Sequence, residues 1–182
     1  MRWATLPRKL RKTMKSELPK ITVYPSPCAD TRTCDVTKVR KEQLADASQR
    51  HIKDVQRAMS AFIAYLFEAL RRHDYDKLTS LDHFYADFQT KFAETGWRDN
   101  HRKIHRHHLN HPDGVPEDVN LLDVLEFIAD CVMAGKARSG EVYPLVLPTE
   151  LLVKAFENTT ALLSAAVIVV PLDDSQPTEP PA

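Results

Sequence analysis

The chain has 182 residues, of which 43% are hydrophobic and 27% are charged, and its formal net charge at pH 7 is zero. This length suits one domain with a sizeable core and is too short for two ordinary domains. Zero net charge gives the whole molecule no general attraction for nucleic acid or for an acidic membrane. Only 4 glycines are present, which argues against a Gly-rich phosphate loop and against a turn-rich β fold.

Cysteine usage and apolar runs indicate a cytoplasmic protein. Three cysteines do not make a disulfide framework in a chain of this size. We find no signal-peptide pattern, and the most apolar run, residues 161–170, is far shorter than the roughly 20 residues that span a bilayer. We therefore expect a protein of the reducing cytoplasm, with no membrane partner.

Residues 1–36 are predicted to form a basic, irregular arm. Four prolines interrupt any long helix in this segment. A basic arm of this kind can bind phosphate backbones or an acidic partner, or it can be a solvated terminus. Cys28 and Cys34 have no second Cys-x-x-Cys partner nearby, which argues against a zinc site. The cations of the arm's first 20 residues are Arg2, Arg8, Lys9, Arg11, Lys12, Lys15 and Lys20.

The rest of the chain is dominated by helical periodicity. A first helix should start near Thr37, and its apolar residues recur with a helical period as far as Leu70, with no helix breaker between residues 57 and 72. A second amphipathic helix is predicted over residues 78–92 and should close at Gly96. The next segment, residues 100–116, is polar and His-rich, and its His-Pro-Asp-Gly sequence has turn chemistry.

Two further helices complete the predicted fold. One should begin with Glu117 and Asp118 in its first turn and end near Gly135 or Gly140. The other runs over residues 150–165, after which residues 167–170 are β-branched and expected to be extended. We therefore predict an all-α, single-domain helical bundle over residues 37–170, followed by an acidic, Pro-rich tail over residues 171–182.

A candidate metal site emerges from three separate segments. His73 and Asp74 are adjacent and offer a nitrogen and an oxygen ligand to a divalent cation. The His-rich segment follows, and all eight histidines lie between residues 51 and 111. Asp123, Glu126 and Asp130 then share one helix face at i, i+3 and i+7. Each segment has an ordinary structural interpretation when it is taken singly. His73 and Asp74 could be a polar helix end, the His-rich segment a surface loop, and the acidic residues a solvated helix face.

These residues resemble the HD-domain metal-dependent phosphohydrolases, in which an early His, a His-Asp doublet and a late Asp bind divalent metal in an all-α domain. The common His-Asp-x-x-Lys form is matched by residues 73–77. The chain also looks like small HD-like proteins found in phages and bacteria. The motifs of that resemblance cover about residues 48–135 and are His51-Ile52-x-x-Val55, His73-Asp74-x-x-Lys77-Leu78, Arg106-His107-His108 and Asn120-Leu121-x-Asp123-x-x-Glu126-x-x-x-Asp130.

The resemblance implies roles for particular residues. His73, Asp74, Asp130 and His51 would bind metal, with His107 or His108 completing a second metal position or protonating the leaving group. Lys77 and Arg106 would contact phosphate oxygens. Glu126 or Asp123 would orient a His ligand or position water. Mixed His and carboxylate ligands fit Mn, Fe, Co, Ni and Zn, and Mg also remains open.

His51 presents a geometric difficulty. It lies 22 residues before His73 with no breaker between them, so a straight helix would hold the two about 33 Å apart. Either the helix turns back near residues 57–60 or His51 does not bind the same metal.

Three functions remain open on this sequence. The first is a metal-dependent phosphohydrolase acting on a phosphate ester, with a nucleotide preferred as substrate. The second is a non-catalytic HD-like module that binds metal or ligand for interaction or regulation. The third is a nucleic-acid or protein binder that uses the basic arm. The sequence does not determine an oligomeric state.

Overall fold

The computed structural model describes residues 17–26, 30–142 and 144–171, so Cys28, the first cations of the arm and most of the acidic tail lie outside it. The described chain is mostly helical, which confirms the helical expectation at that level. Its helices and strands are β1 (Ile21–Val23), α1 (Lys41–Arg72), α2 (Asp76–Thr79), α3 (Leu81–Gln89), α4 (Trp97–Ile104), a 3-10 turn (Pro112–Gly114), α5 (Leu121–Ser139), α6 (Thr149–Ala166) and β2 (Val167–Val169).

Two compact units make up the chain. Among the described residues, one consists mainly of Ala64–Leu162, and the other of Leu18–Ile63 with residues 163–171. The first unit contains a hydrophobic core where the segment after α4 packs with α5 and α6. The buried members of this core are Leu109, Val119, Val124, Phe127 and Ala155.

The second unit contains a small parallel sheet. Ile21 pairs with Val167 and Val23 with Val169, and the amide of Val170 extends the pairing by donating to the Val23 carbonyl. Residues 167–169 are extended, as their β-branched side chains suggest, whereas their partner strand lies in the arm that we expected to be irregular. Among the described helices, none is both long and apolar enough to cross a membrane.

The helix boundaries differ from the sequence expectations at several points, and the first is that α1 begins at Lys41 rather than near Thr37. The predicted second helix is interrupted at Ser80, which separates α2 from α3. Helix α4 occupies part of the segment that we expected to be only polar and His-rich. Helix α5 begins at Leu121, later than predicted, because Asn120 caps its N-terminus. The Asn120 side chain accepts hydrogen bonds from the backbone amides of Leu122 and Asp123, and the Asp123 carboxylate accepts one from the backbone amide of Asn120.

Candidate metal centre

The His73-Asp74 doublet lies where α1 ends and the chain turns. Helix α1 runs without a break to Arg72, and Asp74 then adopts a left-handed backbone conformation with φ of 51°. Asp and Asn tolerate this region better than other non-glycine residues. The turn allows both side chains of the doublet to face the same cluster of histidines and carboxylates.

Arg106 connects the His-rich segment to the start of α5. Its Nε and Nη2 atoms donate hydrogen bonds of 2.8 Å to the two carboxylate oxygens of Asp123. Its Nη1 atom donates a hydrogen bond of 2.8 Å to Asp118 Oδ1. Asp123 is almost fully buried, so this two-pronged contact supplies the partner that a buried charge requires. The contact fixes the backbone immediately before His107.

Gly114 lets the end of the same segment pack closely. A Cβ atom at this position would lie 2.8 Å from the carbonyl oxygen of His108 and 3.2 Å from that of Arg102. Any side chain here would therefore displace the backbone that carries His108.

Four side chains of the first unit converge on one point, which we call the first position. One ligand atom from each of His73, Asp74, His107 and Asp130 lies within 4.8 Å of all the others. His73 Nε2 is 3.6 Å from Asp130 Oδ1, and His107 Nε2 is 3.5 Å from Asp74 Oδ1. Metal–ligand bonds of about 2.1 Å in tetrahedral geometry place ligand atoms about 3.4 Å apart. The observed spacing therefore suits a divalent cation between them.

Glu126 lies behind both histidines of the first position. Its Oε1 atom accepts a hydrogen bond from His73 Nδ1 at 3.0 Å, and His107 Nδ1 lies 3.1 Å from the same oxygen, without hydrogen-bond alignment. A proton on each Nδ1 leaves the Nε2 lone pair free as a metal ligand. Burial raises the pKa of Glu126, but the contacts with His107 and His73 outweigh it and hold the pKa below its usual range.

A second group of ligand atoms adjoins the first and shares Asp74 with it. Asp74, His101 and His108 again place one ligand atom each within 4.8 Å, and we call this group the second position. His101 Nε2 is 3.3 Å from Asp74 Oδ1, yet neither atom makes a hydrogen bond within the described residues. His107 Nε2 and His108 Nε2 are also buried without such a bond. Buried polar atoms normally have partners, and a cation would supply one here.

Asp76 orients His101 from the opposite side of the imidazole ring. The Nδ1 atom of His101 lies 2.9 Å from Asp76 Oδ1, and His105 Nε2 lies 2.8 Å from the same oxygen. Trp97 stacks on the His101 ring at 4.7 Å between centroids and donates from Nε1 to the Ser80 hydroxyl. His101 is therefore held with Nε2 toward Asp74, an arrangement that fits a histidine ligand supported by a carboxylate.

The surroundings of Asp74 and His108 favour the protonation states in which these two side chains bind metal. Burial raises the pKa of Asp74, but the contacts with His101 and Lys77 outweigh it and hold the pKa well below its usual range. Burial, reinforced by the neighbouring His107 and His101, lowers the pKa of His108 to about 3. His108 is therefore neutral at neutral pH and is poorly suited to the proton donation that the sequence left open for it.

One side of the cluster is closed and the other is open. The side chains of His107 and His101 are 1% and 4% exposed, whereas those of His73, Lys77 and Asp130 are 34%, 33% and 28% exposed. A small molecule can therefore reach the first position from the side of these three residues.

The structure places most of the sequence-predicted residues in this cluster, and the exceptions are His51, Arg106 and Asp123. His51 is exposed on the uninterrupted helix α1 and is not among the grouped metal-binding side chains. Arg106 directs all three of its guanidinium nitrogens to Asp118 and Asp123, so its expected contact with phosphate is replaced by a structural one. Asp123 is likewise committed to Arg106 and to the cap of α5.

His101 and Asp76 are the residues of the cluster that sequence reasoning missed. The available signal was the His101-x-x-x-His105 spacing, which puts both rings on one face of a helix. Because helix α4 was not predicted, that spacing did not indicate that the two rings lie close together.

Comparison of the chain with protein-family models, with curated proteins and with solved structures finds no match. The resemblance to HD-domain phosphohydrolases therefore stays a prediction, and the function has to be argued from the site alone.

Proposed function

We propose that this protein is a divalent-metal-dependent phosphohydrolase of the HD-domain kind, acting on a small phosphate ester, with a nucleotide as the preferred class of substrate. The observation that carries the proposal is the Glu126 carboxylate behind both His73 and His107. It directs two Nε2 atoms toward the point that the carboxylates of Asp74 and Asp130 also face.

The ligand set fits a divalent cation in charge as well as in spacing. Two carboxylate ligands and two imidazole ligands at the first position would balance a 2+ charge. Nitrogen and oxygen ligands together suit Mn, Fe, Co, Ni or Zn. A cation held there would lower the pKa of a bound water and neutralise charge on a phosphate group.

The chain's own residues supply the remaining requirements of such a reaction. His73 and Asp130 border the open side, where substrate enters. Lys77 contacts Asp74 there and is one-third exposed, so its ammonium group can turn toward a phosphate oxygen. His107 and His101 close the opposite side and exclude bulk water from the ligand atoms. At the second position, Asp74, His101 and His108 would hold a further cation, and Asp74 belongs to both groups of ligands.

The proposal is tested by metal analysis and phosphate release on the full-length protein. The protein should purify with stoichiometric transition metal and release phosphate from members of a panel of nucleoside mono- and triphosphates. Asp74→Asn keeps a side chain that tolerates the left-handed backbone, and it should abolish both properties without loss of helical circular dichroism. Asp82→Asn, an exposed acid at the start of α3, is the matched control and should retain both.

Three outcomes have distinct meanings. Stoichiometric metal without phosphate release by wild type, whichever metal is loaded, would contradict the phosphohydrolase and favour a metal-binding module. Wild-type protein that binds none of the metals would contradict the metal centre itself. Equal phosphate release by wild type and Asp74→Asn would contradict the assignment of Asp74.

A further inference from the structure

A separate groove lies in the second unit, beside strand β1 and the N-terminal half of α1. Its volume is about 690 Å³, within the range of small-molecule sites. Two of its lining residues, Ile21 and Ala61, are buried. None of the lining residues is acidic; they are Pro19, Lys20, Ile21, Thr22, Tyr24, Lys53, Gln56, Arg57, Ser60 and Ala61.

Three cations border this groove, and two of them are held by backbone carbonyls. Lys20 Nζ donates a hydrogen bond of 3.0 Å to the Ala165 carbonyl, and Arg57 Nη1 donates one of 3.1 Å to the Thr22 carbonyl. These bonds leave the cationic charges in place beside the groove. Asp54 pairs with Arg57 at 2.7 Å and offsets part of its charge.

Lys53 is the cation with the most freedom. It is exposed, and within the described residues it makes no hydrogen bond or ion pair. An ammonium group with this freedom at the edge of a groove whose lining residues include no acid attracts an anion.

The other lining groups select among anions. A lone phosphate ion would fill only a small part of this volume, so the ligand carries a larger organic part. The half-exposed ring of Tyr24 offers a stacking surface. Thr22, Gln56 and Ser60 provide hydroxyl and amide groups able to hydrogen-bond sugar or base edges.

The geometry points to a nucleotide-binding site in this groove, separate from the metal centre. The phosphate group is recognised by Lys53 with Lys20 and Arg57, and the base by the ring of Tyr24. This site does not depend on the proposed hydrolase activity, because no ligand atom of the metal centre lines the groove.

Calorimetric titration of the full-length protein with adenosine 5′-O-thiomonophosphate, which resists hydrolysis, tests the site. Lys53→Gln should weaken binding about tenfold, the loss of one charge-assisted contact. Tyr24→Leu should weaken it about fivefold through lost stacking. Lys41→Gln, an exposed lysine on the same helix outside the groove, is the matched control and should bind as wild type.

Titrations with inorganic phosphate and with adenosine separate the two parts of the ligand. Both should bind far more weakly than the nucleotide analogue. Equal affinity of Lys53→Gln and Lys41→Gln for the analogue would overturn the site, as would the absence of binding to wild type. Inorganic phosphate that binds as tightly as the analogue would overturn the assignment to a nucleotide. Lys53→Gln should leave the metal content unchanged, so the result stands apart from the test of the hydrolase.

Discussion

Replacement of Glu126 should weaken metal binding without removing any metal ligand. The carboxylate receives its contacts from His73 and His107 on one atom, Oε1. Glu126→Ala removes both contacts and leaves the two imidazoles free to change tautomer and to rotate. Glu126→Gln keeps an acceptor oxygen in the same place but removes the negative charge that strengthens the histidines as ligands.

The two variants should differ in magnitude. Loss of a residue that supports a metal ligand typically costs 10- to 100-fold in metal affinity. Because Glu126 supports two ligands, and one of the two contacts is aligned as a hydrogen bond, we expect about a 100-fold loss for Glu126→Ala. This corresponds to about 2.7 kcal/mol. For Glu126→Gln, which retains the acceptor, we expect about a tenfold loss.

Competition against a chromogenic chelator, with Zn²⁺ or Co²⁺ added to the full-length protein, measures these affinities directly. Glu141→Gln alters an exposed acid beyond the end of α5 and provides the matched control, which should bind like wild type. Circular dichroism establishes that the variants remain folded. Wild-type affinity in a folded Glu126→Ala variant would refute the reasoning that this carboxylate orients the metal ligands.

Two further changes separate structural from metal-binding roles. Arg106→Ala should lower the free energy of unfolding in urea by about 3 kcal/mol, because it leaves Asp123 buried without its ionic partner. Lys103→Ala alters an exposed residue nearby and should have little effect. Equal stability of the two variants would contradict the pairing of Arg106 with Asp123. His108→Asn should lower the metal content from about two ions to about one in protein saturated with metal. Mass spectrometry under native conditions reads this count, and an unchanged count would rule out His108 as a ligand.

The parts of the site that the sequence predicted are those set by spacing along one element. His73 and Asp74 are neighbours in the chain, and Glu126 and Asp130 share a face of α5 by helical periodicity. These relations survive any arrangement of the helices, so they could be read before the fold was known.

Other features depend on contacts between distant segments. His101 lies on α4, a helix with no extended apolar stripe, whose start is fixed by backbone amides of Thr95 and Arg98 donating to the buried Asp87 carboxylate. No local pattern of apolar residues predicts such a helix. Strand β1 is similar, because its partner β2 lies at the far end of the described chain.

His51 illustrates the limit of motif reasoning. The motif placed it with the metal ligands, whereas helix geometry placed it a long distance from His73. In the structure α1 is uninterrupted, and His51 is not among the grouped metal-binding side chains of the described residues.

The most direct test of the metal centre is anomalous X-ray diffraction from crystals of the full-length protein grown with Zn²⁺ or Mn²⁺. We expect a peak about 2.0–2.2 Å from His73 Nε2, His107 Nε2 and a carboxylate oxygen of both Asp74 and Asp130. A second peak should lie on the His101 side of Asp74. The proposed centre would be contradicted by metal that binds only elsewhere on the protein while these four side chains form hydrogen bonds with one another.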